Sequence, residues 1–133
     1  MWVCLNNAFV SVVRDRNDPR NLLVRARRRE HLERLFPGRE IVEIPDADYR
    51  YRLFVPQEDF TRVVVQRIAA IDYDNFKNSV DDPELHALYE RFWELHREYQ
   101  DHRERRRRRF QWDAGDLEKV DPDNSRDVNE PRT

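Results

Sequence analysis

The fold of this chain is set between residues 22 and 36, which read LLVRARRREHLERLF. Within the first six of these residues, apolar side chains alternate with arginine from Val24 to Arg27, which is typical of a strand with one buried face. The others place leucine and phenylalanine at helical spacing, and the Pro37-Gly38 pair that follows is typical of a helix end. The sequence therefore predicts a strand from Leu22 to Arg27 that leads directly into a helix from Arg28 to Phe36.

An earlier segment can pair with this strand. Residues 2–13 are apolar and β-prone apart from Asn6-Asn7, and residues 14–21 contain turn-forming residues around Asp18-Pro19. We therefore expect a hairpin in which residues 2–13 form one long strand that the two asparagines interrupt.

A second strand pair and a second helix follow. Glu40 to Ile44 and Tyr49 to Val55 are β-prone and flank a turn over residues 45–48. Pro56 suits the first turn of a helix, because its missing N–H is not needed there. The face of this helix that we expect to be buried consists of Phe60, Val63, Val64, Ile68 and Ile71.

A third helix is predicted from its cap and its apolar spacing. Asp82 suits an N-cap, and Pro83 suits the first helical position. Apolar residues then recur at alternating steps of three and four, at Leu85, Leu88, Phe92, Leu95 and Tyr99. The predicted fold is α+β: a four-stranded, mostly antiparallel sheet in the order ββαββα, with a third, long C-terminal helix and the helices mainly on one face.

Charge divides the chain near residue 102. Residues 103–109 hold six arginines and one glutamate, whereas residues 113–133 hold seven acidic and three basic residues. A segment so rich in charge and so poor in apolar residues does not offset its ordering entropy. We expect a compact domain over residues 1–102, followed over residues 103–133 by an arginine-rich helix extension and an acidic, disordered tail.

The sequence contains no signature of catalysis or of a metal site. Cys4 is the only cysteine, and the four histidines, at positions 31, 86, 96 and 102, form no metal-binding motif. Two glycines are too few for a phosphate-binding loop. No segment is typical of a signal peptide or a membrane span. These observations predict a cytoplasmic protein that is not an enzyme, needs no cofactor and does not enter a membrane.

Aromatic residues supply one set of candidate contacts. They support the first functional hypothesis, which is a small interaction or regulatory module that acts through protein contacts or self-association. Its candidate anchors lie in the third helix and in the connector before it, at Tyr73, Phe76, Tyr89 and Trp93. The alternative for these residues is core packing in the helix and helix capping in the connector.

Arginines supply the other set, and the second hypothesis is a nucleic-acid-associated protein that binds phosphates without reading sequence. The candidates are the run Arg105, Arg106, Arg107, Arg108 and Arg109, extended by Arg25, Arg27, Arg50 and Arg52 on one sheet face. Tyr49 and Tyr51 alternate with these arginines and are expected to point into the core. The alternatives are a run neutralised by the acidic tail, and sheet arginines paired with Glu40 or Glu43.

Four segments of the chain together resemble a family of small prokaryotic proteins associated with bacteria and their mobile elements. These segments are residues 1–13, the strand Leu23 to Arg27, the segment Asp46 to Tyr51 and the connector Ile71 to Lys77. The resemblance covers most of residues 1–100, and the arginine run and acidic tail are additions to it. It implies one compact domain and transfers no catalytic residue.

Overall fold

The structure is a computed structural model that describes residues 1–117, with side chains described through Arg109. The chain divides into two compact units, Met1–Glu90 and a second that begins at Arg91. The division was expected between residues 102 and 103. In the first unit the elements are β1 (Trp2–Leu5), β2 (Ala8–Arg14), β3 (Asn21–Ala26), α1 (Arg29–Leu35), β4 (Val42–Glu43), β5 (Tyr51–Pro56), α2 (Gln57–Ala69), a short 3-10 helix (Lys77–Ser79) and the start of α3 (Pro83–Leu117).

The five strands form one antiparallel sheet in the order β1-β2-β3-β5-β4. The α+β class, the antiparallel sheet and the long last helix are confirmed. The expected number of four strands is wrong, because Leu5 pairs with Ala8 and the two asparagines between them form the tight turn of an additional hairpin. The element order is therefore βββαββα and not ββαββα.

The core lies between one sheet face and the first two helices. Val10, Val24 and Leu53 project from that face and are almost fully buried against Leu32 of α1 and Phe60 of α2. Burial of this apolar surface is the main favourable term in folding. The expected helix stop is confirmed, since α1 ends at Leu35 and Gly38 has a φ of 76°, a conformation that favours glycine.

The outward face of α2 differs from the expectation. Phe60 is buried, and Val63 and Val64 pack against the core, but Ile68 and Ile71 are exposed. Helical spacing alone gave too wide a buried face, because the sheet covers only the side of α2 that carries Phe60.

Helix α3 begins as expected. Asp82 Oδ1 accepts hydrogen bonds from the N–H groups of Glu84 at 3.0 Å and Leu85 at 3.2 Å, so Asp82 caps a helix that starts at Pro83. These N–H groups, Leu85 first, lower the pKa of the Asp82 carboxyl. The apolar stripe is only partly buried, because Leu85 is enclosed whereas Leu95 and Tyr99 are exposed.

The helix also continues farther than expected, to Leu117. Residues 113–117 were predicted to be disordered, but arginine is a strong helix former and the run before them favours continued helix. The remainder of the predicted acidic tail, residues 118–133, lies outside the described residues. Within residues 1–117, no helix combines the length and the apolar character that crossing a membrane requires.

Candidate nucleic-acid interface

The sheet face opposite α1 and α2 carries one continuous row of register partners. Trp2 pairs with Ser11, Ser11 with Arg25, and Arg25 with Arg52. Partners in an antiparallel sheet project to the same side. Adjacent strands are about 4.8 Å apart, so this row extends over about 14 Å. We call this row the arginine row.

Arg25 is the centre of the arginine row. Its Nη2 donates a hydrogen bond to Ser11 Oγ at 2.9 Å, and its guanidinium carbon lies 4.7 Å from the centre of the Tyr49 ring. Its Nε is buried and has no hydrogen-bond acceptor among the described residues. A buried donor without an acceptor destabilises the fold.

Arg52 stands directly opposite Arg25. Its Nε donates to the backbone oxygen of Tyr49 at 3.3 Å. Within residues 1–109, neither Arg25 nor Arg52 forms an ion pair with a carboxylate. Like charges directly opposite each other in a sheet repel, so the pair concentrates positive charge that no described carboxylate neutralises.

The other two sheet arginines are occupied within the fold. Arg27 donates to the backbone oxygen of Asp48 at 2.8 Å and to its carboxylate at 3.0 Å, and it also lies over the Tyr49 ring. Arg50 forms the expected ion pair with Glu43, at 3.0 Å. Of the four predicted arginines, Arg27 and Arg50 therefore form ion pairs with carboxylates, whereas Arg25 and Arg52 form none with the described residues.

The two tyrosines also separate. Tyr51 packs against the core, as expected. Tyr49 is buried as well, but beneath the guanidinium groups of Arg25 and Arg27, at 4.7 and 4.6 Å. Because Tyr49 precedes β5, strand alternation does not govern its direction. Its expected burial is confirmed, but it lies outside the main core cluster, and its ring holds two arginines by cation–π contact.

Exposed aromatic rings flank the arginine row. Phe54 on β5 is the next residue on this face and is 44% exposed, and Trp2 at the other end of the row is 67% exposed. The Trp2 ring is held edge-on against Phe9, with centroids 5.8 Å apart. Neither residue was a sequence candidate. A two-residue turn at Asn6-Asn7 would have placed Trp2 opposite Ser11, but we interpreted those asparagines as an interruption.

The long arginine run lies in the second unit, on α3. Arg105, Arg106, Arg107, Arg108 and Arg109 are all exposed. Arg106 lines a groove along the helix with Tyr99 and Arg103. The run is thus available to phosphates, although helical spacing directs its side chains around the whole helix.

The predicted protein anchors form a cluster inside the first unit, with one exception. The ring centres of Tyr73 and Phe76 are 6.0 Å apart, and those of Phe76 and Tyr89 are 5.0 Å apart. Tyr89 is only 2% exposed, and its hydroxyl lies 2.8 Å from Leu5 O and 3.0 Å from Ala8 O, the residues that flank the first turn. Burial raises the pKa of this hydroxyl. Tyr89 therefore holds the β1–β2 turn, and of the four only Trp93, in the second unit, is strongly exposed.

Burial shifts the pKa values of two side chains outside the arginine row, His31 and Cys4. His31 is buried, and its Nδ1 accepts the N–H of Phe9 at 3.3 Å. Burial lowers the pKa of His31, which favours the neutral ring. Neighbouring atoms raise the pKa of the Cys4 thiol by desolvation, which disfavours a reactive thiolate. Among the described residues, no group of three or more His, Cys, Asp or Glu side chains is arranged to hold a metal ion.

The chain matches no protein-family model, no curated protein and no solved structure.

Proposed function

We propose that this protein binds single-stranded nucleic acid on the sheet face opposite α1 and α2. Arg25 and Arg52 contact phosphate, and the exposed rings of Phe54 and Trp2 stack with bases. The observation that carries the proposal is the Arg25–Arg52 pair, which has no carboxylate partner among the described residues and includes a buried donor without an acceptor.

Several features support phosphate as the anion. Guanidinium groups donate several N–H bonds in one plane, which suits the oxygens of a phosphate. The Ser11 hydrogen bond and the Tyr49 ring already hold Arg25 in place, so binding would cost little side-chain entropy. A single phosphate can bridge two guanidinium groups that project from adjacent strands.

The aromatic residues favour a single strand over a duplex. Single-strand binders combine a cationic surface with rings on which unpaired bases stack, and this type of contact tolerates any base sequence. Phe54 lies beside the arginine pair and Trp2 lies at the far end of the row. The proposal therefore includes little base preference, and it involves no catalysis.

The arginine run of α3 adds a second, non-specific contact in this proposal. Its exposed side chains contribute salt-dependent affinity for any polyanion. Because the run belongs to the second unit, its contribution can be tested separately from that of the sheet. We also propose a cytoplasmic location, which the single cysteine favours.

Fluorescence anisotropy with a labelled, mixed-sequence single-stranded RNA or DNA tests the proposal. The double variant Arg25→Gln with Arg52→Gln should bind at least about tenfold more weakly, because it loses charge-assisted hydrogen bonds. The matched control, Arg29→Gln with Arg62→Gln, changes the net charge equally at exposed positions of α1 and α2 and should bind almost as the wild type does. Equal losses in the two double variants would reject the sheet site.

A protein-contact function is the second candidate, and the exposure of Trp93 on α3 favours it. It is weaker than the first because Tyr89, Phe76 and Tyr73 contact one another within the fold. In the same assay, an unlabelled acidic peptide with the same net charge as the oligonucleotide would favour this candidate if it displaced the oligonucleotide.

A further inference from the structure

The first unit contains a cavity of about 270 Å³ that the proposed phosphate contacts do not use. Its apolar wall consists of Phe9 on β2 and of Leu85 and Leu88 near the start of α3. Small-molecule sites are concave and mostly apolar, with a few polar groups that fix the orientation of the ligand. The volume is slightly below the range of about 300–1,000 Å³ that is typical of sites for drug-sized ligands, so a smaller molecule with one ring system suits it.

The cavity lies next to the arginine row. Ser11 and Arg25 are register partners, and Phe9 lies two residues before Ser11 on the same strand, so its side chain projects to the same sheet face. Arg27 also lines the cavity, and it lies over the Tyr49 ring beside Arg25. Two residues of a strand cover about 7 Å, so a nucleic-acid strand on the arginine row would pass within reach of the cavity.

His31 offers the cavity an unused hydrogen-bond donor. Its side chain lines the cavity and is only 6% exposed. Because Nδ1 accepts the N–H of Phe9 at 3.3 Å, the hydrogen of the neutral ring is on Nε2. Burial lowers the pKa of His31, which favours that neutral ring. Within residues 1–109, Nε2 has no hydrogen-bond partner and is not sealed from solvent, so a ligand can supply the acceptor.

Asp82 offers a hydrogen-bond acceptor at the same cavity. Its Oδ1 accepts the N–H groups of Glu84 and Leu85, whereas Oδ2 has no hydrogen-bond partner among the described residues. The same N–H groups hold the pKa of this carboxyl below its ordinary value, so the group stays ionised. The charge of Asp82 acts on the His31 ring, which shows that the two groups lie near each other.

The remaining charges at the cavity are neutralised within the fold. Arg28 forms an ion pair with Glu84, and Arg27 forms one with Asp48. An anion would therefore find no unneutralised guanidinium group in the cavity, and the Asp82 carboxylate would repel it. The open positions suit a neutral, flat molecule that carries a hydrogen-bond donor beside an acceptor.

We propose that this cavity binds one nucleobase, which donates to Asp82 Oδ2, accepts from His31 Nε2–H and places its ring against the apolar wall. Proteins that hold an unstacked base do so by hydrogen bonds to its Watson–Crick edge and by contact with apolar side chains. All four bases carry a donor beside an acceptor on that edge, so the cavity adds affinity with little base preference. The site rests on the proposed function only for the source of the base, since a free nucleoside presents the same edge.

Isothermal titration calorimetry of the full chain with uridine tests the cavity by itself. The wild type should bind uridine saturably, and it should bind 3-methyluridine, which lacks the N–H of that edge, about tenfold more weakly. Asp82→Asn should lose a similar factor, because asparagine also caps helices but replaces the Oδ2 acceptor with a donor. Asp81→Asn, at the exposed neighbour, is the matched control and should bind uridine as the wild type does.

The cavity site and the arginine row can fail separately. The site is overturned if the wild type shows no saturable uridine binding, or if methylation of uridine or Asp82→Asn leaves the affinity unchanged. The Arg25→Gln, Arg52→Gln double variant should keep its affinity for uridine while it loses affinity for the oligonucleotide, so a failure of the proposed function appears only with the oligonucleotide.

Oligonucleotide binding by Asp82→Asn, compared with Asp81→Asn at equal charge, identifies the source of the base. Weaker oligonucleotide binding by Asp82→Asn supports the site and assigns the base to the bound strand. A loss of uridine binding alone supports the site and assigns it to a free nucleoside. Circular dichroism should show that both variants fold, because asparagine and aspartate are equally good caps.

Discussion

Arg25 on β3 and Arg52 on β5 are direct register partners, and neither forms an ion pair with a carboxylate of residues 1–109. Two like charges at opposite positions destabilise a sheet by a few tenths of a kcal/mol to about 1 kcal/mol. An anion that binds both guanidinium groups would remove this repulsion. The arrangement therefore costs stability in the free protein and favours binding.

Stability and binding should separate at Arg52. We predict that Arg52→Gln leaves the free energy of unfolding within about 0.5 kcal/mol of the wild type, since the loss of the long hydrogen bond to Tyr49 O offsets the relief of repulsion. The same change should weaken oligonucleotide binding severalfold. Urea unfolding and fluorescence anisotropy on the same samples check both parts, and a large loss of stability would identify Arg52 as a structural residue.

Both the sheet arginines, Arg25 and Arg52, and the run Arg105 to Arg109 should contribute to the salt dependence of oligonucleotide affinity. For single strands, the slope of the logarithm of affinity against the logarithm of salt concentration is about −0.7 for each phosphate that the protein neutralises. Replacing Arg25 and Arg52 with glutamine should therefore make the slope shallower by about 0.7 for each phosphate that the variant no longer binds. A variant of the full chain with glutamine at all five positions from Arg105 to Arg109 should have a slope shallower than that of the Arg25 and Arg52 double variant. An unchanged slope in the first variant would indicate that the sheet arginines bind no phosphate.

Tyr89 should stabilise the first hairpin through its hydroxyl. We predict that Tyr89→Phe lowers the free energy of unfolding by about 1 kcal/mol, because the carbonyl groups of Leu5 and Ala8 lose the single hydroxyl donor that they share. Tyr99→Phe is the matched control at an exposed tyrosine and should change stability little. Urea titrations of the two variants make the comparison, and equal effects would contradict this role.

His31 should make stability fall in mild acid. Burial lowers its pKa in the folded state below the ordinary value of 6.5, so the unfolded chain takes up a proton first as pH falls. The contribution of His31 is complete above about pH 6.5 and is lost as the pH falls below that value. Unfolding free energies at pH 8, 7, 6 and 5 should show this loss in the wild type and in His96→Gln, and a smaller loss in His31→Asn. A wild type with equal stability from pH 8 to pH 5 would contradict the prediction.

The elements of this fold were predictable wherever a local signal determines them. The Pro37-Gly38 stop, the Asp82 cap and the Leu22–Arg27 strand each depend on residues close in sequence, and each is present within a residue or two. The strand count failed at Asn6-Asn7, because an asparagine pair suits both a tight turn and an interruption. Only the pairing of Leu5 with Ala8 distinguishes the two.

The candidate site was predictable in part for the same reason. Period-two alternation placed Arg25 and Arg52 on one face, but it could not show that they are direct partners, because that depends on β3 pairing with β5 across an intervening helix and strand. Alternation predicted the burial of Tyr49 but not its contacts with Arg25 and Arg27, because Tyr49 lies before β5 begins. The exposure of Ile68 could not be predicted from α2 alone, since it depends on how much of the helix the sheet covers.

A two-dimensional ¹H–¹⁵N NMR titration of the full chain with a short single-stranded oligonucleotide at physiological salt would locate the nucleic-acid site residue by residue. We predict that the amide signals of Leu23, Arg25, Arg52 and Phe54 shift together and saturably, along with the Arg25 Nε–H signal. Shifts confined to α3, or no saturable shift in β3 and β5, would contradict the claim that this sheet face binds nucleic acid.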